Sequence, residues 1–238
     1  MLLKEFIRFS AIILIFNTSF SQNASTEQIS KFRSVGTMVE NKKEGLWKFY
    51  YENDSLQAVG NYKNNLKHGE WKFYHKNGKL NSIGNFSNGK QIGKWKYYFP
   101  NGKYNSSYTF IEGKRTGEIK SFYENGKKNA IGSFLNDKES GQWYLYDENG
   151  NIRSSGIYLN GKKEGEWKFY SDITGELQRI GNFSNGKREG EWKFYHNETG
   201  KKTATGNFTN GKENGIWKLY DRSGNLSLTE FVNGKQKK

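Results

Sequence analysis

A pattern of Gly-x-Trp-x-x-aromatic recurs eight times along this chain of 238 residues. Trp47, Trp71, Trp95, Trp143 and Trp167 stand 24 residues apart or at twice that spacing, and Trp192 and Trp217 follow at 25. Ile119 fills the slot where another Trp falls due. Gly precedes every slot by two residues, from Gly45 to Gly215, and Tyr or Phe follows it by three, from Tyr50 to Tyr220 with Phe122 in the fourth copy. A period in this range marks a repeat architecture, in which a unit that cannot bury its own apolar face stacks on its neighbours. Such a chain works as an extended surface.

Residues 69–89 serve to read one unit. Asn77-Gly78 and Asn88-Gly89 bracket a run of alternating residues. Asn-Gly between such runs is a strong hairpin signal, because both central residues of a type I′ turn need positive φ. Both pairs are therefore predicted to be two-residue turns, which makes the unit a hairpin and the chain a continuous meander. Counting outward from Asn77-Gly78 sets His75 opposite Leu80, Phe73 opposite Ser82, Trp71 opposite Gly84 and Gly69 opposite Phe86. The same count sets Trp47 against Gly60, Ile119 against Gly132 and Trp143 against Gly156. The sixth and seventh copies carry turns of three residues, Ile173-Thr174-Gly175 and Glu198-Thr199-Gly200, yet still set Trp167 against Gly181 and Trp192 against Gly206. Two copies depart: Tyr108 stands where Gly is expected, and the eighth runs one residue short, which puts Glu230 opposite Trp217. Nothing in the sequence accounts for Tyr108 or for Ile119.

Side chains alternate between the faces of a sheet. Trp71, Phe73, Leu80 and Phe86 share one face with Gly69, Ser82 and Gly84; Glu70, Lys72, Tyr74, Ile83 and Asn85 share the other. The expected fold is all-β: an elongated, single-layer antiparallel meander of about eight hairpin repeats. Twisting by about 20° per strand, it is expected to coil and to fold the Trp face onto its own concave side.

The first 21 residues read differently. Lys4 and Arg8 make a basic start, Phe9 to Phe16 is an apolar run too short to span a bilayer, and Ser19-Phe20-Ser21 is a small-x-small cleavage site. Residues 1–21 are read as a secretory signal peptide, residues 22–35 as an N-terminal tail or capping strand, and residues 36–238 as the repeat array. The mature chain is then secreted, periplasmic or held at the cell surface, with no membrane-spanning segment left after processing. The absence of Cys excludes disulfides, a lipid-attachment cysteine and thiolate metal sites. Leu, Ile, Val and Phe make only 50 of the 238 residues, close to the composition of a disordered chain. The strict register of the Trp and Tyr residues argues against disorder.

Charge is unevenly placed. The turns at residues 64–68, 88–92, 112–116, 136–140, 160–164, 185–189, 210–214 and 233–237 sum to +6, whereas the opposite turns are close to neutral. Lys162, Lys163, Lys187 and Arg188 on this basic edge are candidate contacts to an anionic partner; the alternative is a set of merely solvated turns. The ladder of Trp47, Trp71, Trp95, Trp143, Trp167, Trp192 and Trp217 is either packing or a ring platform for sugars, choline-like cations or an apolar partner face. Catalytic, cofactor and metal residues are not expected. His68, His75 and His196 belong to different repeats, and Glu70, Glu118, Glu166 and Glu191 stand beside lysines as surface cross-strand pairs.

The units G-E-W-K-F-Y, N-G-K and G-N-F-S-N-G-K-x-x-G resemble MORN repeats, specifically the bacterial variant found in YwqK-like antitoxin proteins, over about residues 36–235. The resemblance implies an elongated antiparallel sheet of hairpins, no catalytic residues, and roles in membrane attachment, phosphoinositide contact and protein scaffolding. The aromatic hairpins are also similar, more loosely, to cell-wall-binding repeats that take choline or glycan between rings. The functional expectation is an exported, non-enzymatic scaffold of the cell envelope that engages a protein or an anionic surface, lipid headgroup or glycan. The alternative is a wall- or glycan-binding module, and a second alternative an antitoxin or immunity protein, which export disfavours. Self-association through two Trp faces is a further option. Export and the interspersed Glu residues argue against nucleic acid.

Overall fold

A computed structural model describes residues 33–237. All regular structure among them is strand: eighteen strands in one sheet, from Arg33–Val39 to Lys235–Gln236. Each strand pairs antiparallel with the next in sequence. The sheet is the open all-β meander that the spacing predicts. Among the described residues, extensive contacts join only strands adjacent in sequence. The Trp rings are therefore packed there by side chains of neighbouring strands and not by a distant part of the coil. The expected signal segment 1–21, and residues 22–32 of the expected tail or cap, lie outside the described residues. Residues 33–35 belong to the first strand, which pairs with Lys42–Tyr50.

The two turns of each unit are different objects. On the basic edge Asn88 and Gly89 take φ of 48° and 76°, the type I′ turn expected. On the opposite edge Gly78, and not Asn77, is left-handed, at 82°. The Gly78 N–H donates to the His75 carbonyl at 2.9 Å, and the His75 N–H to the Lys79 carbonyl at 2.8 Å. This is a three-residue loop ending in a left-handed Gly, not the two-residue turn predicted. A bulge at Asn81 follows, so Tyr74 rather than His75 faces Leu80, while Phe73 faces Ser82 and Trp71 faces Gly84. The longer loop and the bulge offset each other, so counting from a shorter turn still finds the Trp–Gly register. In copies six and seven the loop is again one residue longer than predicted, closed by Ser171 N–H to Glu176 O at 2.8 Å and His196 N–H to Lys201 O at 2.8 Å. In the eighth copy the loop has its usual form but the bulge residue is missing, and Trp217 faces Thr229 instead of Glu230.

A second bulge lies in the Trp strand itself. All eight glycines two places before the Trp slot are left-handed, with φ between 63° and 85°. A Cβ on Gly69 would meet nothing within 4 Å. Gly recurs there because the bulged backbone requires it, not because a ring lies overhead. The bulge interrupts the ladder next to Asn61, and Trp71 Nε1 donates to the Asn61 carbonyl at 3.0 Å. Trp47, Trp95, Trp167, Trp192 and Trp217 repeat this bond to the residue ten places earlier. The buried Trp143 Nε1 has no such partner.

Backbone pairing sets Trp71 opposite Gly84 on one side and Gly60 on the other. The indole lies over Gly60, where a Cβ would overlap the ring. Every Trp leans the same way, onto the strand before it: Trp47 on Gly36, Trp95 on Gly84, Trp143 on Gly132, Trp167 on Gly156, Trp192 on Gly181 and Trp217 on Gly206. Gly84 thus seats Trp95, not the Trp71 with which the sequence count pairs it. This accounts for Tyr108 and Ile119 together. Tyr108 occupies the place that would seat the ring of residue 119. With the seat filled by a phenol, slot 119 holds the smaller Ile, which is buried and packs against Tyr108.

Candidate functional site

All seven Trp residues are buried, Trp167 and Trp192 completely. Their indoles are packing elements, gripped edge-on by Phe or Tyr rings such as Phe86 on Trp95 at 5.0 Å and Tyr158 on Trp167 at 5.0 Å. What the face offers instead is the half-buried rings beside them. Phe49, Tyr62, Phe73 and Tyr97 line an open groove of about 560 Å³ together with the side chains of Gln57 and Asn81.

The four basic-edge candidates separate into two pairs. Lys162 and Lys187 are exposed. With Lys138 and Lys212 they form a column along the edge. A Cβ on Gly186, Gly211 or Gly234, the turn glycines of the following unit, would lie 3.6–3.7 Å from the Cβ of Lys162, Lys187 or Lys212. The turns are themselves tied together: the Gly186 N–H donates to the Lys163 carbonyl at 2.9 Å, and the Asn185 N–H to the Glu164 carboxylate at 2.9 Å. At two strands per unit, successive ammonium groups start about 10 Å apart on a fixed backbone.

Lys163 and Arg188 turn inward, and burial explains why they do not behave as edge charges. Lys163 Nζ stands 4.2 Å from the Trp167 centroid, 4.8 Å from that of Phe169 and 5.3 Å from that of Phe183. Arg188 lies 5.0 Å from Trp192 and 4.9 Å from Phe208. Lys43 and Lys67 occupy the same position in the first copies and cap their rings likewise. Burial lowers the Lys163 pKa, and the charges of Arg179, Arg188 and Arg153 lower it further. Burial and then Arg179 lower that of Arg188. Lys67 is lowered by burial and then by Lys43.

Arg153 and Arg179 are functional candidates that inspection of the turns overlooks, because neither lies in a turn. The signal was present in the repeat. Arg179 faces Phe169, in a slot that holds Ala or Ser in every other copy, from Ala58 to Ser227.

The opposite face carries paired charges. Glu70, Glu166 and Glu191 pair with Lys72, Lys168 and Lys193 at 3.2–3.4 Å along their own strands rather than across strands. Among the described residues no three His, Asp or Glu side chains converge on a metal-sized site.

Residues 43–64, 67–88, 91–112, 115–136 and 139–160 match a family model described as MORN repeat variant. Each matched segment runs from one basic turn to the next and contains one Trp slot with the strand that follows it. The same strand pair continues through residues 162–232. No curated protein matches the chain. The five matched segments, on an open hairpin sheet, are similar to MORN repeats and support a repeat-type binding module.

Proposed function

We propose that the chain is an exported, non-enzymatic scaffold of the cell envelope, which engages a protein or an anionic surface through its basic edge. The observation that carries the reading is the column of exposed lysines, including Lys138, Lys162, Lys187 and Lys212, one per unit on turns hydrogen-bonded to each other. Fixed charges at regular spacing favour an extended anionic partner over a small one, and their attraction is weakened by salt. Export rests on Lys4, Arg8, the run Phe9 to Phe16 and Ser19-Phe20-Ser21; mass spectrometry of the secreted protein should find Gln22 at the N-terminus. The binding test is retention of the full-length chain on its own envelope fraction at low and high salt. Reversing Lys138, Lys162, Lys187 and Lys212 to Glu should abolish retention at low salt; unchanged retention refutes the edge as the route.

A second reading has its own observation. The groove between Phe49 and Tyr97 combines half-exposed rings with amides, as a sugar's apolar face and hydroxyls require. Soluble wall glycan should then perturb the ring resonances of Phe73 and Tyr97, and a flat titration removes this reading.

A further inference from the structure

The slot opposite the residue two places after each Trp, or after Ile119, is built for a small side chain. Ser82, Ser106 and Ser154 are buried in it, as are Ala58 and Ala130. Arg179 breaks this rule. Its guanidinium lies 4.6 Å from the Phe169 centroid, over a ring that Lys163 Nζ also approaches at 4.8 Å. Two like charges therefore share one aromatic ring. Arg188 follows on the next strand, and Arg153 stands two strands back from Arg179 as the bulge residue beside Ser154, which faces Phe169 from the other side; the Arg153 charge also lowers the Lys163 pKa. Among the described residues none of these four forms an ion pair. Arg179 Nε is buried without a hydrogen-bond partner. Glu213 is the carboxylate whose field reaches Arg188.

An arrangement like this works against folding. Partly desolvated cations repel one another, and an unpaired buried N–H loses its hydration with nothing gained in return. The sheet does not need Arg179, because Ala serves in the equivalent slot. The missing component is an anion: a guanidinium held over a ring, with an ammonium and further guanidinium groups beside it, matches an oxyanion of high charge better than a single carboxylate.

We propose that Arg179, with Lys163, Arg188 and Arg153, forms a site on the ring face for a phosphate or sulfate monoester, whose organic part packs against Phe169 and Phe194. The site is distinct from the edge lysines, and it deepens the reading of the chain as a binding module by naming a ligand class.

The test uses the full-length chain, phenyl phosphate, phenyl sulfate and inorganic phosphate as soluble probes, and phosphatidylcholine vesicles with or without phosphatidate. Phenyl phosphate should raise the thermal midpoint of the parent protein and bind it in titration. Arg179→Ala should weaken that binding roughly ten-fold or more, the range for a charge-assisted contact. The same variant should melt at or above the parent temperature, since it installs the residue found at Ala58, Ala130 and Ala204. Arg179-dependent sedimentation with phosphatidate vesicles would assign the ester to a lipid headgroup; binding of soluble ester alone would assign it to a free ligand or glycan. The proposal is overturned if the parent binds no ester, if Arg179→Ala binds as the parent does, or if Arg179→Ala melts below it. Ester binding lost while envelope retention persists removes this site alone. Retention lost on reversing the edge lysines, with ester binding intact, removes only the scaffold reading.

Discussion

The direction in which the rings lean gives the sharpest prediction. Gly156 faces Trp143 on one side and Trp167 on the other, and symmetric pairing would make it a seat for either. The structure makes it the seat of Trp167: an ideal Cβ on Gly156 falls 2.5 Å from Trp167 Cγ, with two other ring atoms nearer still. Cβ atoms essentially never approach another heavy atom within 3.0 Å. The φ of Gly156 is outside the left-handed region, so Ala is sterically excluded only by the ring. The indole has no place to retreat. Tyr158 holds its edge at a centroid distance of 5.0 Å, Phe169 lies at 6.0 Å, and its N–H is bonded to the Ile157 carbonyl at 3.0 Å. Gly156→Ala must therefore expel most of a fully buried Trp or bend the strand. Burial of about 150–250 Å² at roughly 25 cal/mol per Å² sets a ceiling of about 4–6 kcal/mol. Large-to-small changes at such residues lose about 3–5 kcal/mol, which is the expected cost. Urea unfolding reads the total, and 5-fluorotryptophan labelling identifies the ring: the Trp167 resonance should move and that of Trp143 should stay. A shift of Trp143 with Trp167 unmoved, or no change in stability, refutes the one-way seating.

Three further predictions follow from the same geometry. Ile119→Trp alone should destabilise by about 1–3 kcal/mol through overpacking against Tyr108, and adding Tyr108→Gly should recover most of the loss; additive effects in the double-mutant cycle would disprove the reciprocal pairing of these two positions. Hydrogen bonds from Arg115 hold the Asp137 carboxyl below its ordinary pKa. That contribution is present above the unfolded-state value, near 4, and is lost as pH falls through the folded value. Asp137→Asn should thus be less stable than the parent at neutral pH, by at most about 1 kcal/mol for so exposed a pair, and the difference should vanish in acid titration once the pH is below the folded value. Deleting residues 33–39 should expose Trp47 and red-shift the fluorescence, whereas deleting residues 226–236 should leave Trp217 on Gly206; equal shifts from both truncations would count against the reading.

Much of the fold was legible because the repeat makes eight trials of one rule. The hairpins, the I′ turns at Asn88-Gly89 and its equivalents, and the Trp–Gly register all follow from turn chemistry and period. The shape of the second turn was not legible, because Asn-Gly suits both a two-residue I′ turn and the end of a longer loop, and an added bulge restores the same register. Nor does pairing reveal which of two opposite glycines an indole covers: Gly60 and Gly84 are equivalent neighbours of Trp71 until side-chain direction is known. The candidate site was harder still. Lys162 and Lys163 are adjacent and alike in sequence, and only the position of the strand face sends one to solvent and the other over Trp167. Arg179 is a single substitution within a small-residue slot, visible once the slots are aligned by register and unremarkable before.

One-way seating also gives the stack a polarity. Each Trp needs a Gly in the strand before it, whereas the strand after it supplies an edge-on ring, such as Phe86 on Trp71 or Phe231 on Trp217, and need not supply a Gly. The first full hairpin can therefore be completed only by an added strand that supplies Gly36, which is what Arg33–Val39 does, although the Gly-x-Trp pattern has not yet begun there. On the strand Leu226–Val232, Thr229 can stand opposite Trp217 without obstructing its ring, because that ring lies over Gly206 on the other side. The same rule confines a defect. Filling the seat at position 108 removes the indole at 119 and nothing earlier, and the array resumes with Trp143 on Gly132 because Gly132 lies beyond the filled seat. A chain packed in this way tolerates a local exchange of ring for aliphatic side chain without losing the ladder. That tolerance is also what lets a slot such as 179 carry a side chain that the sheet itself does not require.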